Sequence, residues 1–408
     1  MQITLQHPTN ITQAELTITG SKSETNRLLL LQALYPQLTI DNKSNSDDAV
    51  AMQNALSSNA TLKDIHHAGT AMRFLTAFFA SKKDSHITLT GSHRMQERPI
   101  AILVEALNAL GAAISYQKNE GYPPLSISGK QLEGGEVTLP ANISSQYISA
   151  LLLIAPKLSN GLVLHLEGEI TSLPYIKMTL ALLERLGITP SFEGKTIRIP
   201  YCESVVKQTL VVESDWSSAS YWFSTLALAD QGEIHLSSYR EDSLQGDAVL
   251  REIYQQLGVE SHFNGTSLIL RKKEGFVLPE KIELNLVEAP DIAQTIAVSC
   301  YGLGVACHLT GLHTLKIKET DRLLALEKEL GKLGATIRVD DHSLQLEGNQ
   351  NFQQGQAIDT YHDHRMAMAF APLAIKIPLT INDAGVVSKS YPGFWDDMKK
   401  AGFQQLAK

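Results

Sequence analysis

Along the 408 residues, a helical stripe of apolar positions that ends in Leu-Gly and gives way to a short alternating segment recurs four times. The copies read ALNALGAAISY, ALLERLGITPSF, IYQQLGVESHF and LGKLGATIRV, and their glycines, Gly111, Gly187, Gly258 and Gly334, stand roughly 70 to 76 residues apart. Each glycine is expected in the left-handed conformation that ends a helix. Leu326, Leu330 and Leu333 follow the three- and four-residue spacing of a buried helix face. Two degenerate copies complete the set. AVAMQNALSSNATLKDI lacks the glycine and is shortened between Leu56 and Ile65, as though missing a strand or two, and FWDDMKKAGFQQL closes the chain. A chain of this length exceeds one ordinary core, so six units divide into two domains of three, each a pseudo-threefold α/β assembly. Chance recurrence of Leu-Gly is the competing explanation, and the regular spacing counts against it. The crossovers between domains are expected near Gly20 and in the polar loop from Glu213 to Ser218.

At the first of these points GSKSETNR joins an alternating segment, Leu16 to Thr19, to an apolar periodic one, Arg27 to Leu34. A strand-to-helix junction of this kind offers unpaired backbone N–H groups, to which Ser21 and Ser23 add hydroxyls and Lys22 and Arg27 add charge. It is not a nucleotide-binding P-loop, because neither the earlier glycine nor the Gly-Lys adjacency is present. A capped helix with surface charges explains this motif alone equally well.

Composition narrows the classes. Hydrophobic residues make up 43% and charged residues 19%, and no apolar run has the length of a membrane helix. The opening MQITLQHPTN has no basic flank or apolar stretch, so a cytoplasmic protein without membrane association is expected. A net charge of −8 argues against a nucleic-acid partner. The three cysteines, Cys202, Cys300 and Cys307, lack metal-ligand spacing and are expected as reduced core residues. The histidine pairs His66-His67 and His362/His364 lack the companions of a zinc site.

Further polar clusters fall repeatedly at predicted helix starts. Gly69 in AGTAMR permits close approach of a ligand, with Thr70 expected as a cap. Arg98 precedes Pro99, which suits a first helical turn. Ser144-Ser145-Gln146 opens an apolar run, and Ser172 with Tyr175 repeats that placement. Lys318 to Arg322 packs four charges of both signs into five residues, with Glu319 and Arg322 on one helix face. Asp363-His364-Arg365 and Ser388-Lys389 each place a cation at a further helix start, and Asp291 is a carboxylate at another. Capped or salt-bridged surface helices would explain each cluster singly. Their recurrence points instead to converging helix N-termini and cations, which suit two multiply charged anions.

Taken together and in order, these motifs closely resemble the 5-enolpyruvylshikimate-3-phosphate synthase (EPSP synthase) family from Ser21 to about Trp395. The resemblance implies two inside-out α/β domains, each of three βαβαββ units. One is discontinuous, 1–20 with 214–408, and the other, 21–213, is inserted. It implies closure on shikimate 3-phosphate and phosphoenolpyruvate, and transfer of the enolpyruvyl group to the 5-hydroxyl without metal or organic cofactor. By similarity Lys22, Ser23, Arg27, Ser144, Ser145, Gln146, Ser172, Asp291 and Lys318 would hold shikimate 3-phosphate. Lys22, Gly69, Arg98, Gln146, Arg322, Arg365 and Lys389 would hold phosphoenolpyruvate. The acid/base pair falls on Asp291 and Glu319, with Lys22 also catalytic. Glyphosate is the expected inhibitor and a monomer the expected state.

The chain departs from the family pattern in places. Phe74 stands where many relatives have proline, His66-His67 replaces a Gly-Asn pair, and Thr314 stands where asparagine is frequent. The nearest rival, UDP-N-acetylglucosamine enolpyruvyl transferase, would place a reactive cysteine before the helix that follows Arg98, and Ser92 to Pro99 has none. RNA 3′-phosphate cyclase would need a nucleotidylated histidine and a surface that suits RNA. A binding protein without activity is disfavoured by the retention of Asp291 and Glu319 beside all the cations.

Overall fold

Helices buried on nearly every side form the centres of cores, and this chain has such helices in both of its halves. The computed structural model describes residues 1–141, 144–170 and 173–407, apart from the side chains of Ile317 and Ala407. It divides into one unit of Met1–Thr19 with Glu213–Lys408 and another of Gly20–Val212. They are called the discontinuous and the inserted domain.

In the discontinuous domain the helices Trp216–Leu228, Ala293–Leu303 and His364–Phe370 pack on one another, and nearly every residue in them is buried. Hydroxyls tie these helices together, Ser220 to Thr295 at 3.1 Å and Ser299 to Ser224 at 2.8 Å. Three four-stranded sheets accompany them. In each, one parallel pair of strands is extended by two antiparallel strands. Lys281–Asn285 runs parallel to Ala306–Thr310, which pairs antiparallel with Leu344–Leu346, and Ile337–Val339 lies at the edge. The outer helix Arg322–Lys332 buries Leu323, Leu326 and Leu330 along one stripe, as its spacing predicts.

The two chain ends complete one of these sheets. Ile3–Gln6 lies between Leu379–Ile381 and Gln404–Ala407, antiparallel to both. The strand Ile11–Leu16, which leads toward Gly20, pairs with Gln231–Leu236 in the discontinuous domain. It is therefore not the sheet partner of the helix that begins at Lys22.

The inserted domain centres on Lys22–Leu34, Gly69–Ser81 and Ser145–Ile154, again buried through most of their length and packed together. Two of its sheets have four strands. Gly135–Pro140 and Leu162–Glu167 alternate buried and more accessible positions, as strands with one covered face do. The third sheet has only two strands, Leu38–Asp41 parallel to Gln208–Val211. After the helix Asp47–Ser57 the chain passes directly to Leu62–Asp64, which already belongs to the next sheet. The shortened first repeat has thus lost its hairpin. The glycines of the four Leu-Gly copies all have positive φ, 95°, 80°, 79° and 98°. The fold is the α/β arrangement expected from the repeats, built of the βαβαββ units that the resemblance implies, with that one unit truncated.

Candidate active site

In the discontinuous domain the starts of the buried helices carry carboxylates. Asp215 caps Trp216–Leu228, accepting from the Ser218 N–H at 2.8 Å. Asp291 lies in the 3-10 turn Pro290–Ile292 that leads into Ala293–Leu303, and Asp363 caps His364–Phe370, accepting from the Arg365 N–H at 2.8 Å. Arg322, first residue of its helix and 2% exposed, joins several of these groups. Its Nε donates to Asp363 Oδ2 at 2.6 Å, one terminal nitrogen to Asp291 Oδ1 at 2.8 Å, and the other to Glu319 Oε2 at 2.9 Å. Glu319 precedes the helix, so it meets Arg322 from the loop rather than from a shared helix face.

Arg365 reaches Asp291 from the other side, at 3.2 Å to Oδ2 and 3.2 Å to the backbone carbonyl, and Lys318 Nζ lies 3.4 Å from Oδ1. Burial pulls the pKa of Arg322 down, and Asp363, Glu319 and Asp291 outweigh it, so the group ends above its ordinary value. Arg365 behaves alike, with Asp291 the strongest of the groups that raise it. Lys389 donates to the His362 carbonyl at 2.7 Å. It ends the 3-10 segment Ala384–Lys389 and is not at a helix start, against the sequence expectation.

The inserted domain has a different chemistry at its helix starts. Lys22 opens Lys22–Leu34, with Nζ 3.7 Å from Asp48 Oδ2, and Ser23 follows it, its carbonyl accepting from Arg27 at 2.8 Å. The glycine before Lys22 serves the backbone: a Cβ on Gly20 would lie 2.0 Å from the Asn42 carbonyl oxygen. Arg27 is 2% exposed and donates to Thr179 Oγ1 at 2.8 Å, Ser149 Oγ at 3.0 Å and the Tyr175 carbonyl at 3.2 Å. Phe74, fully buried, lies with its ring 5.4 Å from this guanidinium. Burial pushes the pKa of Arg27 down to about 10.

Gly69 opens Gly69–Ser81 against Arg98, and a Cβ there would lie 2.5 Å from the Arg98 guanidinium. Ala68 holds the cap position, and Thr70 instead accepts from Gln146 Nε2 at 3.3 Å. Ser144 caps Ser145–Ile154, accepting from the Gln146 N–H at 3.3 Å, and Ser145 is buried. Pro99 lies ahead of Ala101–Ala109, with Ile100 at the position before the helix, rather than in its first turn. Ser172 lies outside the described residues.

Sequence reasoning missed three participants. Arg73, 4% exposed, ties the Gly69 carbonyl at 3.2 Å to the Pro99 carbonyl at 3.1 Å and so braces both arms beside Arg98. A charge within so apolar a helix was the signal for it. Asp48, in the first turn of the helix Asp47–Ser57, and Asp247, in a short 3-10 segment, carried none, because a carboxylate at such a start acquires a role only through its neighbours in space. Asp247 accepts from Ser217 Oγ, and its carboxyl is pushed up to about 6 by burial first and by Asp291 next. Among the described residues no group of three or more His, Cys, Asp and Glu is arranged to hold a metal ion, and no helix is long and apolar enough to cross a membrane.

The arrangement can bind compact polyanions on helix starts and cations, and can move protons through carboxylates held beside them. A family model described as EPSP synthase (3-phosphoshikimate 1-carboxyvinyltransferase) matches residues 53–398. The chain is 47% identical over 412 residues to a protein of Bacteroides fragilis named 3-phosphoshikimate 1-carboxyvinyltransferase, covering 99% of this chain and 98% of that one. To the protein of that name from Aliivibrio salmonicida it is 34% identical over 429 residues, covering 98% and 99%. Among solved structures, EPSP synthase from Acinetobacter baumannii matches over 100% of both chains with a TM-score of 0.82 and 22% identity, a likeness of fold.

Proposed function

The chain belongs to the EPSP synthase family, and from that premise we infer that it transfers the enolpyruvyl group of phosphoenolpyruvate to the 5-hydroxyl of shikimate 3-phosphate. In the first step the hydroxyl oxygen bonds to C2 of phosphoenolpyruvate while C3 gains a proton, giving a tetrahedral phospho-ketal. In the second, the new methyl group loses a proton, the C2–O bond to phosphate breaks, and the enol ether and inorganic phosphate are left.

The observation that supports these roles most directly is the single guanidinium of Arg322, which holds Asp291 and Glu319 at 2.8 and 2.9 Å. In this reading Asp291 takes the hydroxyl proton, and Glu319, the more exposed of the two, serves the methylene carbon. Lys22, Gly69, Arg98, Gln146, Arg322, Arg365 and Lys389 receive phosphoenolpyruvate, and the lysines and arginines among them stabilise the departing phosphate. Shikimate 3-phosphate falls to Lys22, Ser23, Arg27, Ser144, Ser145, Gln146, Ser172, Asp291 and Lys318. Arg27 has the heaviest structural duty of these, since its donors already tie helices together. Glyphosate, which carries a carboxylate and a phosphonate, competes for the phosphoenolpyruvate cations. A monomeric state and a cytoplasmic location belong to the same proposal.

The family match does not favour UDP-N-acetylglucosamine as acceptor. The deciding experiment follows inorganic phosphate released from phosphoenolpyruvate by purified protein. Release is expected only when shikimate 3-phosphate is present, and release with UDP-N-acetylglucosamine in its place overturns the assignment.

A further inference from the structure

We infer that Asp247 is a positioning residue for the phosphoenolpyruvate step, acting on Arg365 through the hydroxyl of Ser217. Asp247 is 8% exposed, in the first turn of the 3-10 segment Gly246–Val249. Ser217 donates its only hydroxyl proton to Asp247 Oδ2, which leaves the oxygen lone pairs to accept from Arg365, 3.2 Å away. The same guanidinium nitrogen of Arg365 reaches Asp291 Oδ2, also at 3.2 Å. One chain of contacts therefore runs from Asp247 through Ser217 and Arg365 to Asp291. It sets which way the hydroxyl points and, through it, how the Arg365 fork is aimed.

The start of this chain is rigidly mounted. Gln245, two residues before Asp247, accepts from the Trp216 N–H at 3.0 Å and donates to the Ser214 carbonyl at 2.9 Å. This fastens the Asp247 turn to the head of the helix that carries Ser217. The charged groups facing Asp247 are Asp291, Arg365 and Asp215. A buried carboxylate among two others is costly, and the cost is understandable if the carboxylate is needed as an acceptor. Its pKa of about 6 places the loss of that acceptor within reach of a pH profile.

The inference rests on phosphoenolpyruvate as the ligand of Arg365, and its test is steady-state turnover with shikimate 3-phosphate and phosphoenolpyruvate. Asp247→Asn keeps shape but can turn an amide N–H toward Ser217, and Ser217→Ala removes the link. Each is expected to raise KM for phosphoenolpyruvate about tenfold, the scale of one charge-assisted hydrogen bond, with kcat within about threefold of the wild type. The double variant is expected to be no worse than the weaker single one, because both cut the same chain. Wild-type KM should also climb more steeply than that of Asp247→Asn as pH falls from 7.5 to 5.5, a difference that cancels the titration of the substrate itself.

If Asp247 acted only as a charge through space, its removal would strengthen the positive field and lower KM, and that result overturns the inference. Additive effects of the two substitutions, or parallel pH profiles, overturn it as well. Turnover by the wild type with unchanged kinetics in both variants sinks this inference alone, whereas a wild type inert toward phosphoenolpyruvate sinks the functional reading on which it rests.

Discussion

Two arginines are buried at the helix starts of each domain, and their surroundings differ in kind. Arg27 and Arg73 in the inserted domain donate to hydroxyls and backbone carbonyls, and burial lowers both pKa values to about 10. Arg322 and Arg365 in the discontinuous domain are equally sequestered, yet their carboxylate neighbours drive them above the ordinary value. The first pair is charge held by dipoles, which leaves positive potential available to an anion. The second pair is charge balanced by neighbouring carboxylates, Asp363, Asp291 and Glu319 around Arg322 and Asp291 beside Arg365. The buried arginines of one domain are held by neutral groups, and those of the other by carboxylates.

The largest expected break in this comparison is Arg322→Met. It takes the guanidinium from Asp363, Glu319 and Asp291, leaving Asp291 to Arg365 and Lys318 while the fully buried Asp363 loses its ion pair, and should cost about 3–5 kcal/mol in urea unfolding as well as turnover. Next comes Asp247→Asn, which should stabilise the protein. With its pKa raised from 3.8 to about 6, the folded chain binds more protons than the unfolded one across that window, so wild-type stability declines as pH rises through it and stays lower above. The gain of the variant in urea unfolding should therefore be nearly absent at pH 4 and approach roughly 3 kcal/mol at pH 7.5. A gain that shrank with rising pH would contradict the burial account.

Arg27→Met should cost only about 1–2 kcal/mol, because neutral partners are left behind, and Thr179 and Ser149 keep a bond to each other at 3.0 Å. Equal losses for Arg27→Met and Arg322→Met would erase the distinction between the domains. Gly69→Ala pushes a methyl group against Arg98 and should raise KM for phosphoenolpyruvate by about tenfold, or 1.4 kcal/mol, and weaken glyphosate more. Unchanged values for both would remove Gly69 from the site. The smallest effect is expected at His362, held at φ 55° beside Tyr361 at 53°. His362→Asn suits the left-handed region better and should gain about 0.5 kcal/mol while keeping the carbonyl that holds Lys389.

The architecture was legible where structure is local. A helix that must stop needs a left-handed residue, and Gly111, Gly187, Gly258 and Gly334 announced four such ends at regular intervals. The truncation after Leu56 was legible as well, since a missing hairpin shortens the chain. The pairing of Ile3–Gln6 with Gln404–Ala407 had no local signal, because a strand does not encode which distant edge it completes. At the site, the clusters around Lys22, Gly69, Arg322 and Arg365 stood out as polar groups at the heads of apolar helices. What stayed hidden was the division of labour among them. Arg27 and Arg322 look alike in sequence, and only the groups that surround each one set its charge environment apart.

The sheet shared by the chain ends orders events during synthesis. The inserted domain has all its strands once Val212 has left the ribosome, and can assemble while nearly half of the polypeptide is still unmade. Ile3–Gln6, made first, has no partner until Leu379–Ile381 emerges and no second one until Gln404–Ala407. The domain that holds Asp291 and Glu319 is therefore the last to close, its oldest strand waiting unpaired for the newest.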